Sequence, residues 1–374
     1  MNRLEQIPRY FYIIALLIFL YLFFGFCSID DIRHTVTSSY AILNGHFRDF
    51  YAFNKTIPSI AGNDYEIPVY LLFALWNIPV KLAGLAIPEI FPIYVMLYNK
   101  LLISILYLLC AYFVYKISNL FFLDRRTSLF TAAVFVLSPI ALYSPLIYTQ
   151  YDSIYVLLML IGVFYFLKNE KKRDVFIGAL FFGLSILFKP LALIGFIPIV
   201  LYNYKNLYRI AIFFGIVILP SILTKLLLPG ASGDRFFSRL FESSIIVSSW
   251  GVFKISIFSV LYIMLCIFCY VRETEAIDVN RKYYSIYLLY VSYAVFFVFV
   301  WWHPMWLLIM MPFCVITAMA HIQKSRLLIV EMLITVGFAT VTLASWGAEV
   351  AGDLVKSNVL SFLGPIQNGG KVVA

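Results

Sequence analysis

The chain is expected to be an all-α polytopic membrane helical bundle of about 10–11 spans, with a first loop carrying interfacial helices. Three observations carry that expectation. Of 374 residues, 63% are hydrophobic and only 13% are charged, against about 25% charged in a soluble domain. So few charges cannot cover a water-facing surface. The apolar runs reach the ~20 residues that a helix needs to cross a bilayer, and the alternating ~10-residue segments of a membrane barrel are not visible.

Taken in order, the hydropathy places spans near 10–27, 93–117, 127–145, 150–168, 174–190, 191–203, 208–228, 250–271, 281–300, 303–323 and 326–346. The first run follows basic residues and lacks a small-residue cleavage site, so it is read as a retained anchor rather than a removed leader. Residues 28–66 then form a long polar loop, in which Ile32, Val36, Tyr40 and Leu43 share one helical face. That pattern suits a helix lying on the membrane surface.

The segment 67–84 is apolar but is interrupted by Pro68 and Pro79. Charge decides how to read it. Arg3 and Arg9 place the N-terminus in the cytoplasm, and alternate loops then carry Lys116/Arg125/Arg126, Lys168/Lys171/Lys172/Arg173, Lys205/Arg209, Arg272/Arg281/Lys282 and Lys324/Arg326. This consistent alternation is the positive-inside pattern. Were 67–84 a span, every later loop would have the wrong sign, so it is expected as an interfacial or re-entrant helix. The chain thus reads as one transmembrane domain, 1–374, with an outer loop over 28–92. The net charge of +9 belongs to short loops that orient the protein, which sets nucleic acid aside as a partner.

Cys27, Cys110, Cys266, Cys269 and Cys314 all lie in apolar runs. The CxxC spacing of Cys266 and Cys269 has no further His or Cys beside it, so the pair is read as inert.

Polar residues worth attention gather on the outer side. Asp30 and Asp31 emerge directly after the first span. Either caps the following helix, and a carboxylate sheltered at the membrane edge also suits proton acceptance from a hydroxyl. Gln150, Tyr151 and Asp152 open the 150–168 span and combine an amide, an aromatic face and a carboxylate, the groups that hold a sugar ring. Lys189, followed by Pro190, is a lone cation in an apolar run; it either snorkels to the surface or meets a phosphate. Arg235 lies in the next outer loop. The junction Trp301-Trp302-His303-Pro304-Met305-Trp306 supplies an aromatic belt and a histidine suited to a phosphate or sugar. Asn99, Lys100 and Glu331 read as marks of helix–helix contact. No Walker, dinucleotide-binding, zinc-protease or hydrolase-triad pattern is present.

At four places the chain resembles the GT-C superfamily of membrane glycosyltransferases. These are the acids Asp30 and Asp31 followed by Ala41-Ile42-Leu43-Asn44-Gly45; the stretch Tyr65-Glu66-Ile67-Pro68-Val69-Tyr70; Gln150-Tyr151-Asp152; and Gly183-Leu184-Ser185-Ile186-Leu187-Phe188-Lys189-Pro190. The His303-Pro304-Met305-Trp306 junction is similar to the late outer-loop motif of many members. The resemblance covers about residues 10–320 and implies a polyprenyl-phosphate sugar donor and a glycan, lipid or protein acceptor. It implies Asp30 or Asp31 as catalytic base, both remaining open. Lys189 would bind the donor phosphate, with His303 and Arg235 as helpers, and Gln150, Tyr151, Asp152, Trp302 and Trp306 would form the sugar or acceptor pocket. Many members are longer or carry a soluble C-terminal domain, which leaves the acceptor open. No cofactor is certain; a divalent metal is compatible with paired acids, but no ligand set demands one. The composition points to a bacterial plasma membrane with the active site on the outer face. The competing classes are a secondary transporter, a polysaccharide flippase or a polymerase. A transporter would place its polar features near the midplane in repeated halves, and neither feature is apparent.

Overall fold

The computed structural model describes residues 9–25, 30–56, 66–84, 93–121, 124–227, 246–250, 253–320, 332–342 and 344. Among them every expected span has a helix at its place: α1 (Arg9–Gly25), α6 (Ile93–Ser118), α7 (Arg125–Leu137), α9 (Ser153–Lys168), α10 (Lys172–Phe188), α11 (Ala192–Asn203) and α12 (Leu207–Leu227). They are followed by α13 (Ile257–Val271), α14 (Asp278–Phe299), α15 (Met311–Ala320) and α16 (Met332–Thr342). The loop between α1 and α6 folds into four short helices, α2 (Asp30–Leu43), α3 (Phe50–Asn54), α4 (Ile67–Trp76) and α5 (Ile78–Leu82). Among the described residues α6, α12 and α14 are long and apolar enough to span as straight rods. The other apolar helices are shorter, such as α9 and α11.

In the span expected at 127–145, α7 continues through α8 (Pro139–Leu142) and a π-helix (Tyr143–Tyr148) after a bend of 56°. Pro139 causes it: a proline has no N–H to return to the carbonyl four residues back. That carbonyl, on Phe135, and its neighbour on Val136 each lie 3.1 Å from the Tyr107 hydroxyl. A tyrosine on α6 thus supplies the donor that the proline lacks. A second departure lies before α13. The span expected from residue 250 begins at 257, because β1 (Ile246–Trp250) and β2 (Phe253–Ser256) form an antiparallel hairpin with Trp250 opposite Phe253.

The helix expected over Ile32, Val36 and Tyr40 turns that apolar face toward protein. All three side chains are buried, in one cluster with Val69 and Phe73 of α4, Met96 and Ile103 of α6, and Tyr151 and Ile154. Thr35, Ser38 and Ser39 of α2 are buried too. The apolar face that suggested a membrane surface instead packs against protein, and α4, the segment with the interrupting prolines, covers it. The junction between α4 and α5 is tied to α6 by a reciprocal amide pair. Asn77 Nδ2 donates to Asn99 Oδ1 at 2.6 Å and Asn99 Nδ2 to Asn77 Oδ1 at 3.0 Å. Trp76 stacks on Tyr98 beside it.

Helix C-termini in a membrane protein carry carbonyls that need donors, and three lysines supply them. Lys100, fully buried on α6, donates to the carbonyls of Leu22 (3.0 Å) and Phe23 (2.9 Å) in the last turn of α1. Lys81 donates to Leu43 O and Asn44 Oδ1 at the end of α2. Lys205 donates to Leu201 O of α11 (3.0 Å) and Cys269 O of α13 (2.7 Å). Cys269 is buried and Cys266 half-buried, both as free thiols.

The α9–α10 pair forms the centre of the bundle and is packed backbone to backbone. A Cβ on Gly178 would stand 2.9 Å from both the Gly162 carbonyl and the Phe166 nitrogen. Small residues permit this approach. Gly178→Val is therefore expected to force the helices apart at a cost of about 1–3 kcal/mol. Thermal unfolding of the detergent-purified protein checks this, and an unchanged midpoint would show that the contact is looser than its geometry.

Candidate active site

The two helices α9 and α10 are joined by a short turn and run antiparallel, which brings the start of the first beside the end of the second. Asp152 precedes α9 and Lys189 follows α10, so these lone charges, 37 residues apart, meet. Lys189 Nζ donates to Asp152 Oδ1 at 2.8 Å, with Asp152 fully buried and Lys189 nearly so. Ser185 in the last turn of α10 donates to the Tyr155 carbonyl at 2.6 Å and fixes the two ends against each other. The ammonium also lies over two rings, 5.1 Å from the centroid of Tyr155 and 4.8 Å from that of Trp306. An ion pair enclosed by aromatic faces is held in a medium that strengthens it and penalises its separation.

Trp306 reaches Lys189 from a 3₁₀ segment, Pro304–Ile309, which Pro304 begins. His303 caps that segment through its carbonyl, which accepts from the Trp306 N–H at 2.9 Å. Its ring centroid is 5.4 Å from that of Trp306. The indole therefore neighbours both the histidine and the ion pair. Trp306 also packs against the Tyr143–Met305 cluster, as do Tyr148 and Phe338 of α16.

The chain enters this site through irregular backbone. After the π-helix, Thr149 takes a left-handed conformation with φ 60°, which a β-branched residue rarely adopts. The Gln150 N–H then closes the turn onto the Ser144 carbonyl at 3.0 Å. π-helical turns and strained residues concentrate at functional sites; here they turn Gln150 and Asp152 inward. Gln150 Oε1, Asp152 Oδ2, Ser144 Oγ, Ser153 Oγ and the Tyr155 hydroxyl are all buried with no hydrogen-bond partner among the described residues.

The expected site residues thus divide. Asp152, Lys189, Trp306 and His303 come together, and Gln150 lies buried close by in sequence. Tyr151 points into the cluster formed by α2, α4 and α6. Trp302 donates its Nε1 to the Phe297 carbonyl at 2.7 Å and packs on the Phe297 ring, so it ties down the end of α14. Asp30 and Asp31 form the first turn of α2, but their side chains lie outside the described residues, as does Arg235 altogether. Since Ile32 and Tyr151 share one cluster, the acidic end of α2 and the Gln150–Asp152 turn flank the same packed core. Among the described residues no three His, Cys, Asp or Glu side chains form a group that could hold a metal.

Sequence reasoning missed the pairing of Asp152 with Lys189, although a signal existed. Two isolated charges, one before and one after a pair of apolar helices with a tight turn, must lie at the same end of the pair. It also missed Tyr155, which looks like an ordinary buried aromatic in the sequence.

Comparison with known proteins agrees with this architecture. The model of glycosyltransferase family 87 matches residues 77–345. Among solved structures, the chain is similar to ArnT from Cupriavidus metallidurans, crystallised bound to undecaprenyl phosphate. The TM-score is 0.54 at 14% identity, over 95% of this chain and 70% of that one. A search of curated proteins finds no match. The resemblance read from the sequence is borne out in family and in fold.

Proposed function

The chain belongs to glycosyltransferase family 87, and from that membership we propose that it moves a sugar from a polyprenyl-phosphate donor to a glycan, lipid or protein acceptor. The reaction takes place on the non-cytoplasmic face of a bacterial plasma membrane. The observation that carries this reading is the buried Lys189–Asp152 pair against Trp306, with His303 beside the same indole. It gathers a cation, a carboxylate and aromatic faces from three distant parts of the chain at one end of the bundle. The similar ArnT structure holds undecaprenyl phosphate, which supports a donor of that class.

The acceptor hydroxyl attacks the anomeric carbon as the bond from that carbon to the phosphate oxygen breaks. Its proton passes to the carboxylate of Asp30 or Asp31, and the polyprenyl phosphate leaves with the bonding electrons. A single displacement of this kind inverts the anomeric centre. The departing phosphate gathers negative charge, which Lys189 meets with help from His303 and Arg235. Buried acceptors without donors, Gln150 Oε1 and Asp152 Oδ2, suit the hydroxyl protons of a sugar. Trp306 offers the apolar face of its ring, and Tyr151 and Trp302 brace the pocket from behind.

Transfer is expected in liposomes containing the purified chain and a panel of radiolabelled polyprenyl-phosphate sugars, with one sugar strongly preferred. Transfer from a nucleotide sugar with no polyprenyl donor would overturn the reading, and so would transmembrane movement of an intact glycan without bond cleavage.

A further inference from the structure

A groove lined by none of the candidate site residues has no part in this chemistry. It encloses about 540 Å³ between α1, α6 and α7. Its walls are Leu16 and Phe19 of α1, Leu108 and Tyr112 of α6, and Leu129 and Val136 of α7, with Tyr115 and Arg125 also lining it. Those from α6 lie in its C-terminal half, and those from α7 run along it from Arg125 to Val136. The buried cluster that Tyr151 joins, beside the Gln150–Asp152 turn, takes Met96 and Ile103 from the N-terminal half of α6. Leu16, Leu108, Tyr112 and Leu129 are each about half exposed, and in a bilayer such surface meets lipid chains rather than water.

Charge at the groove selects among lipids. Arg125 lies beside the Tyr115 hydroxyl, and Arg126 follows it in the first turn of α7. The nearby carboxylate, Asp124, is engaged by that helix end. The Arg126 N–H and then the side chain and N–H of Thr127 hold its carboxyl below the ordinary carboxylate range. Lys116 is turned away, with its ammonium 5.3 Å from the Phe164 ring centroid. Among the described residues Arg125 is therefore the cation lining the groove that an occupant's headgroup would meet. We propose that this groove binds one acyl chain of an anionic phospholipid, whose phosphate is held by Arg125, as a lipid site separate from the donor site. Basic pockets between membrane helices take anionic headgroups in this way.

The test is native mass spectrometry of the full chain released from nanodiscs of equal phosphatidylglycerol and phosphatidylcholine. Preferential retention of phosphatidylglycerol is expected, falling about fivefold in Arg125→Gln, the weight of one basic side chain at an anionic surface. Ala133→Phe, which fills the groove, should remove retention of both lipids, whereas Arg173→Gln, an exposed cation elsewhere, should leave it unchanged. Equal retention of the two lipids, or a preference that survives Arg125→Gln, would overturn the proposal. Displacement of phosphatidylglycerol by polyprenyl phosphate through Arg125 would overturn it too, in favour of a second carrier site.

Discussion

Converting Asp30 and Asp31 together to asparagine is expected to lower sugar transfer by ~10²–10⁴-fold, the usual contribution of a positioned acid or base. The choice of asparagine matters. These residues open the first turn of α2, where asparagine keeps the size and hydrogen-bonding capacity of aspartate. A stability change is therefore not expected, and thermal unfolding of the variant should match the parent. Alanine would remove that hydrogen-bonding group as well and confuse loss of the base with loss of local contacts. The single variants separate the residues: the base loses turnover with little change in donor KM, and its neighbour keeps most of the rate. Initial rates in liposomes at saturating donor decide between them. Full activity in both single variants and in the double one would remove the acids of α2 from the chemistry.

The bundle was legible because lipid imposes simple rules. A run of apolar residues long enough to cross the bilayer must satisfy its backbone as a helix, so each expected span met a helix. What the sequence did not disclose came from contacts between distant residues. The apolar face of α2 has the periodicity of a surface helix, and nothing in it says whether lipid or α4 covers it. Pro139 announces a break, but the π-helix and the left-handed Thr149 that follow depend on Tyr107 and Ser144 receiving the freed backbone groups. The candidate site was legible as a set of residue types on one side. The local sequence around Lys189 suggests a cation at the membrane edge, free to snorkel or to meet phosphate. Only the antiparallel closure of α9 on α10 shows that it is paired with Asp152. Trp302 and Trp306, four residues apart, look alike as belt residues; the fold sends one to the end of α14 and the other over the ammonium.

That pairing gives Lys189 two roles that a single substitution confounds. Lys189→Met would leave Asp152 buried without its counter-ion, which costs about 3–5 kcal/mol. The variant is expected to unfold early, so lost activity would say nothing about phosphate. Asp152→Leu leaves the opposite problem, a buried ammonium that has lost its carboxylate while still lying over the faces of Tyr155 and Trp306. The double variant resolves it, because replacing both members of a buried pair with apolar groups of similar size is often neutral or stabilising. We expect Asp152→Leu/Lys189→Met to recover most of the thermal midpoint lost in either single variant, a strong positive coupling between contacting residues. Donor KM should remain raised in it, because the ammonium of Lys189 no longer meets the leaving phosphate, whereas acceptor KM should move less. A double variant as unstable as its parents would mean that the two charges are held by separate partners. A stable double variant with unchanged donor KM would make the pair a tie between α9 and α10, and would pass the phosphate to His303 or Arg235.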